Sequence, residues 1–164
     1  MGSLSKIKRE LNEMQEAREK AIKVQRDIIP ICAQAIRDIQ KNNYNDAERK
    51  LEKAKGKINE VEGILRKYPD IVNSVLGQSY QEFAELSIFL GYIKRKKLPE
   101  LPKIPAKFYL LGLADAIGEL KRVGMELLAE RKVKEAEKLA DEMEDLYFEL
   151  SQQVYPNAIV PGLK

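Results

Sequence analysis

Apolar residues recur along this chain every three or four positions, and nowhere do they alternate with period two. The pattern predicts long helices and no strand. A first helix is expected from about Ser5 to about Asn42, with Ile28, Cys32, Ala35 and Ile39 on its apolar face and Pro30 as a kink or break. Asn42 to Asn45 reads as a turn. Asn45 then caps a second helix, with Glu48 completing a capping box, and that helix ends before Pro69. Asp70 opens a short helical piece ending near Gly77, and Ser79 to about Lys97 forms a third long helix. Leu98 to Pro105 holds three prolines and must be an extended connection. Two more helices follow, from about Lys107 to about Arg131 and from about Val133 to about Val154, with a Pro-containing tail after them. Short loops between long helices imply antiparallel neighbours in one bundle.

At 164 residues the chain is read as one all-α domain over 1–164, long enough for a real core. A sequence echo between Asn45–Leu51 and Lys134–Leu139 stands alone and makes no repeat array. No apolar run approaches the roughly 18 residues of a membrane span, and the polar N-terminal helix is not a signal peptide, so a soluble cytoplasmic protein is expected. The chain has no His, which excludes His-based nucleophile pairs, His metal ligands and Glu-x-x-His di-iron chemistry. Cys32, the one cysteine, sits among Ile29, Ile31 and Ala33 and reads as a buried inert thiol.

Charged residues make up 34% of the chain, which makes their rarity in two stretches informative. Phe108 to Leu120 carries only Asp115 and Glu119, one helical turn apart. Phe83 to Tyr92 carries only Glu85, with Glu82 one turn before it. An unpaired carboxylate in a dry bundle costs several kcal/mol or shifts its pKa upward. A divalent ion shared by Glu82, Glu85, Asp115 and Glu119 resolves that conflict, and an all-oxygen site favours Mg²⁺ or Mn²⁺. Such a site suits phosphodiester hydrolysis. Glycines at 91, 112 and 118 would let the two helices come close. Three of the acids also have a plain structural reading, whereas Asp115, among Leu111, Gly112, Ile117 and Gly118, resists one. Ser79-x-x-Glu82 is a capping box, Glu85 fits a solvated face, and Glu119 can pair with Lys121 or Arg122.

Net charge is only +3, from 29 basic and 26 acidic residues, but it is segregated. Lys23, Arg26, Arg37 and Lys41 fall on one line of the first helix, opposite its apolar face, as a backbone-tracking stripe would. Lys94 to Lys97, Lys103 and Lys107 form a second cluster leading into the acidic segment. Arg122 is placed to stabilise developing charge, and Tyr92 to stack a base. The same residues fit a solvated helix face, a solvated loop, a surface ion pair and a core tyrosine.

Tyr109-Leu-Leu-Gly-Leu-Ala-Asp-Ala-Ile-Gly-Glu-Leu-Lys-Arg122 resembles the motif of the translin superfamily. It is closer to the translin-associated factor X branch than to translin, which lacks the acidic residue of the Ala-Asp pair. Gln81-Glu-Phe-Ala-Glu-Leu86 resembles that branch's Gln-Glu-aromatic-x-Glu pattern, and Arg18 to Ile28 is similar to the family's first helix. The resemblance implies an all-α fold assembling into closed octameric shells that bind single-stranded RNA or DNA inside. It further implies a metal-dependent endoribonuclease whose acids match Glu82, Glu85, Asp115 and Glu119. In eukaryotes that enzyme promotes RNA interference by removing passenger-strand fragments. This chain is shorter and looks like a compact prokaryotic or archaeal homo-oligomer. Two other functions compete: a binding-only shell, which would have lost the acids, and an all-α nucleoside triphosphate pyrophosphohydrolase. The four-residue step from Asp115 to Glu119 disfavours the latter.

Overall fold

The longest element, α1, runs unbroken from Gly2 to Gln40 and carries Pro30 inside it. The computed structural model describes residues 2–153, 155–156 and 159–160, without the side chains of residues 2, 65, 72 and 73. After α1 come α2 (Tyr44–Glu60), α3 (Glu62–Lys67), α4 (Pro69–Arg95), α5 (Ala106–Ala129) and α6 (Val133–Ser151). No strand occurs among the described residues. Val154, the expected end of the last helix, lies outside them.

The helices stand in a row, α2 against α1, α1 against α4, α4 against α5, and α5 against α6, with α2 and α3 also touching α4. The core fills the seams with Ile28, Cys32, Ala35 and Ile39 of α1, as the periodicity predicted, and with Leu76, Leu86, Phe89, Leu113 and Leu120 of α4 and α5. Ion pairs from Asp27 to Lys57 and from Asp38 to Lys50 close the α1–α2 seam and set those helices antiparallel.

Three local expectations fail for one reason: tertiary packing outweighs short-range signals. Ser79 does not open a helix. It lies inside continuous α4, fully buried, with no hydrogen-bond partner for its Oγ among the described residues. Gly77 does not end one either. A side chain there would meet the Phe108 ring at 2.8 Å, so its bare backbone is the seat for that ring, which also packs on Tyr80. Asn45 is not the cap of α2. That helix starts at Tyr44 after a left-handed Asn42 (φ 61°), no side chain caps it, and Glu48 pairs instead with Lys94. The expected second helix is itself interrupted at Val61.

Helix direction is a further finding. Short turns join α1 to α2 and α5 to α6, and both pairs are antiparallel. The Pro-rich segment behaves differently. Pro99 lies beside Gly91, while Lys103 reaches Glu62 at 2.7 Å beyond the other end of α4. The segment thus runs back along α4 in extended form, and α5 begins beside the first half of α4. Phe108 meets Gly77, Gly112 meets Ala84, and Val123 lies near Ile93. The two helices are therefore parallel, which brings the acids of each to the same height.

Candidate acidic site

The α4–α5 crossing is tightest at Gly112. A Cβ there would lie 2.6 Å from the Ala84 Cβ, 2.7 Å from the Glu85 N and 2.8 Å from the Gln81 O. Two of those atoms are backbone and cannot yield, so only glycine permits this approach. Gly112, Asp115 and Glu119 are spaced i, i+3, i+7 and share one face of α5. On α4, Gln78, Gln81, Glu82 and Glu85 fall within about 100° of arc at 100° per residue. The crossing therefore sets the two acidic faces against each other. Of the other glycines expected at close approaches, Gly91 abuts its own connection at the Lys97 carbonyl (3.3 Å), and Gly118 has nothing within 4 Å.

The two α4 acids sense the others. Burial pushes the Glu85 carboxyl up, to about 8, and the charges of Asp115, Glu82 and Glu119 add to it in that order. Burial also raises Glu82, with Asp115 adding and a hydrogen bond from Gln78 opposing. Beneath them, the Cys32 thiol is pushed up to about 12 by burial and then by Glu82 and Glu85. It is the inert core thiol expected. No Lys or Arg among the described residues pairs with any of the four. The α5 acids instead accept from two glutamines: Gln81 Nε2 donates to Asp115 Oδ2 and Gln40 Nε2 to Glu119 Oε2, each at 2.7 Å.

As placed, no group of three or more acidic or thiol side chains among the described residues is arranged to hold a metal ion. The donor set itself fits a hard cation: it is all carboxylate, crowded and without a counter-charge. An ion would have to draw the carboxylates together by side-chain rotation. Glu82, Glu85, Asp115 and Glu119 would hold it.

The stripe predicted on α1 is present. Lys23, Arg26, Arg37 and Lys41 are all exposed, and none forms an ion pair among the described residues. Gln40 lies between that stripe and the buried face and touches Glu119, so the stripe's C-terminal end adjoins the acids. Half of the second basic cluster is engaged by acids. Lys94 pairs with Glu48, Lys96 with Glu142 and Lys103 with Glu62, while Lys107 lies over the Phe108 ring. Arg122 forms an exposed pair with Glu126 at 3.5 Å. Tyr92 is a core residue whose hydroxyl faces Glu142, so it offers no stacking surface.

Sequence reasoning missed Gln40 and Gln81. Gln81 sits inside the quoted Gln-Glu-Phe-Ala-Glu motif, which was the one available signal. Gln40 had none, because its partner lies on a helix 79 residues away.

No protein-family model matches the chain. A protein of Methanocaldococcus jannaschii, MJ0175, itself uncharacterized, is 33% identical over 156 residues, covering 90% of this chain and 67% of that one. Among solved structures, AfC3PO superimposes with a TM-score of 0.90 at 30% identity, over 98% of this chain and 85% of that one. Its complex with duplex RNA matches equally well, with a TM-score of 0.90 at 29% identity. Apo-NeC3PO shares the fold, with a TM-score of 0.87 at 22% identity.

Proposed function

The chain belongs to the translin superfamily, and from that premise we propose that it is a metal-dependent endoribonuclease acting on single-stranded RNA within a homo-oligomeric shell. The observation that carries this reading is the crowding of Glu82, Glu85, Asp115 and Glu119 on one seam, without a basic partner among the described residues and with Glu85 pushed up to about 8. Carboxylates are not brought together for stability. Mutual repulsion, and burial in the case of Glu82 and Glu85, opposes folding, and such crowding marks a functional site. A bound Mg²⁺ or Mn²⁺ would relieve it and supply an activated water and a counter-charge for phosphodiester oxygens.

The chain's own residues supply the rest. Lys23, Arg26, Arg37 and Lys41 neutralise phosphates along α1 and lead the strand toward the seam. A carboxylate not engaged with the ion accepts the water's proton. Arg122, one turn past Glu119, would have to leave Glu126 to reach a phosphate. RNA binding is supported by the likeness to AfC3PO, which was solved with duplex RNA. The exposed apolar residues Leu4, Ile7 and Leu11 on α1 and Met125, Leu128, Tyr147 and Phe148 on α5 and α6 support self-association.

A binding-only shell is the second reading, favoured by the acids' not converging as placed. Labelled single-stranded and duplex RNA, incubated with Mg²⁺, Mn²⁺ or EDTA, separates the two. The nuclease cuts the single strand with metal and not with EDTA. Asp115→Asn lowers cutting by more than about 100-fold while RNA binding persists. Wild-type binding without cutting under any metal establishes the second reading.

A further inference from the structure

Elsewhere in this protein, acids at helix seams meet lysines. Asp38 faces Lys50, Glu62 faces Lys103, and Glu142 faces Lys96. Among the described residues, the two α5 acids of the seam meet no Lys or Arg and take neutral amides instead. The two donors come from different helices, Gln40 from the last position of α1 and Gln81 from the middle of α4, yet both sit at 2.7 Å. An ammonium at either place would satisfy the carboxylate and compete with any cation for it. An amide fixes one oxygen, leaves the negative charge intact and leaves the second oxygen free. On α4, by contrast, nothing among the described residues donates a hydrogen bond to Glu85. The seam thus has two clamped acids on α5 facing an unclamped Glu85 on α4, beside Glu82, which accepts from Gln78 of its own helix.

Resting on the metal reading above, we propose that Gln40 and Gln81 are positioning residues of the acidic site. Each amide clamps one oxygen of Glu119 or Asp115 and reserves the other for a divalent cation. This reduces the side-chain freedom that ion binding must remove, and outer-shell donors to metal ligands act in this way. It also ties α1 to the site, because Gln40 adjoins Lys41 at the end of the basic stripe. Strand binding on α1 and ion binding on α5 then share one residue pair.

The test is Mn²⁺ titration of the full chain, followed by the paramagnetic resonance of free Mn²⁺. Gln40→Met and Gln81→Met keep side-chain length and remove the donor. Each is expected to weaken Mn²⁺ binding by about 10–100-fold, and the double variant more. Gln34→Met, on the exposed face of α1, leaves it unchanged. Urea unfolding without metal reports whether the variants are only less stable. A lowered midpoint with wild-type Mn²⁺ affinity means a merely structural role and overturns the proposal. If the methionine variants do not fold, Gln40→Asn and Gln81→Asn, polar but too short to reach, are expected to show the same loss. In the wild type, bound Mn²⁺ broadens the side-chain amide signals of Gln40 and Gln81 more strongly than that of Gln34, about 9 Å further along α1. Equal affinity in wild type and variants removes the glutamines' role alone. A wild type that takes up no Mn²⁺ removes the metal reading, and this role with it.

Discussion

Glu85 is the residue on which burial and charge act most strongly. Between the ordinary carboxyl value of about 4.5 and its folded value of about 8, the native protein keeps a proton that the unfolded chain has lost. Stability therefore falls as pH rises through that window. Glu82, raised in the same direction, adds to the trend. Glu13 and Glu62, held low by lysines, act below the window. The protein is expected to be less stable at pH 8 than at pH 5, by on the order of 2 kcal/mol after solvent screening. Glu85→Gln should flatten most of that slope, as urea unfolding at the two pH values would show. Mn²⁺ at pH 8 should recover the lost stability in the wild type and much less in the variant. A flat wild-type profile would mean that the seam is not crowded. The crowding was legible in the sequence, because two charges in an apolar helix stand out. The amides that answer it were less so: Gln81 was marked only by its place in the acidic motif, and Gln40 by nothing, since its partner lies on a distant helix.

Among the elements, the α4–α5 pair decides the site, and Gly112 decides the pair. Gly112→Ala would push a methyl into the backbone of Gln81 and Glu85, forcing the helices apart. A loss of about 1–3 kcal/mol is expected, together with Mn²⁺ affinity, since the acids would separate. Gly118→Ala is the control. With nothing within 4 Å and an exposed helical position, it should gain up to about 1 kcal/mol. Thermal unfolding of the two variants checks both signs, and equal effects would remove Gly112 from its place at the crossing. Sequence reasoning found the glycine but read helix ends from local chemistry. Ser79-x-x-Glu82 has the form of a start and Gly77 that of a stop. Both sit inside α4 because the Phe108 ring needs Gly77's open face and because burial of Leu76, Tyr80 and Phe83 holds the helix together across them. Helix direction was equally hidden. Prolines specify an extended segment, but not whether it turns the chain or carries it back along its own helix.

For the whole molecule, the feature left without a role inside one chain is the beginning of α1. The helix is 39 residues long, and residues 3–12 are exposed throughout, with Leu4 at 76%, Ile7 at 48% and Leu11 at 58%. Apolar residues at i, i+3 and i+7 make a stripe suited to another surface. Ile7→Glu with Leu11→Glu is expected to lower the mass seen by sedimentation while leaving helix content unchanged. An unaltered mass would place subunit contacts elsewhere. A rod that outruns its own support keeps its amide protons only as well as an isolated helix does, because fraying from the free end is cheap. Deuterium should therefore enter residues 3–12 quickly in dilute protein and slowly in concentrated protein. The first turns of α1 would then report on neighbours, with no label attached.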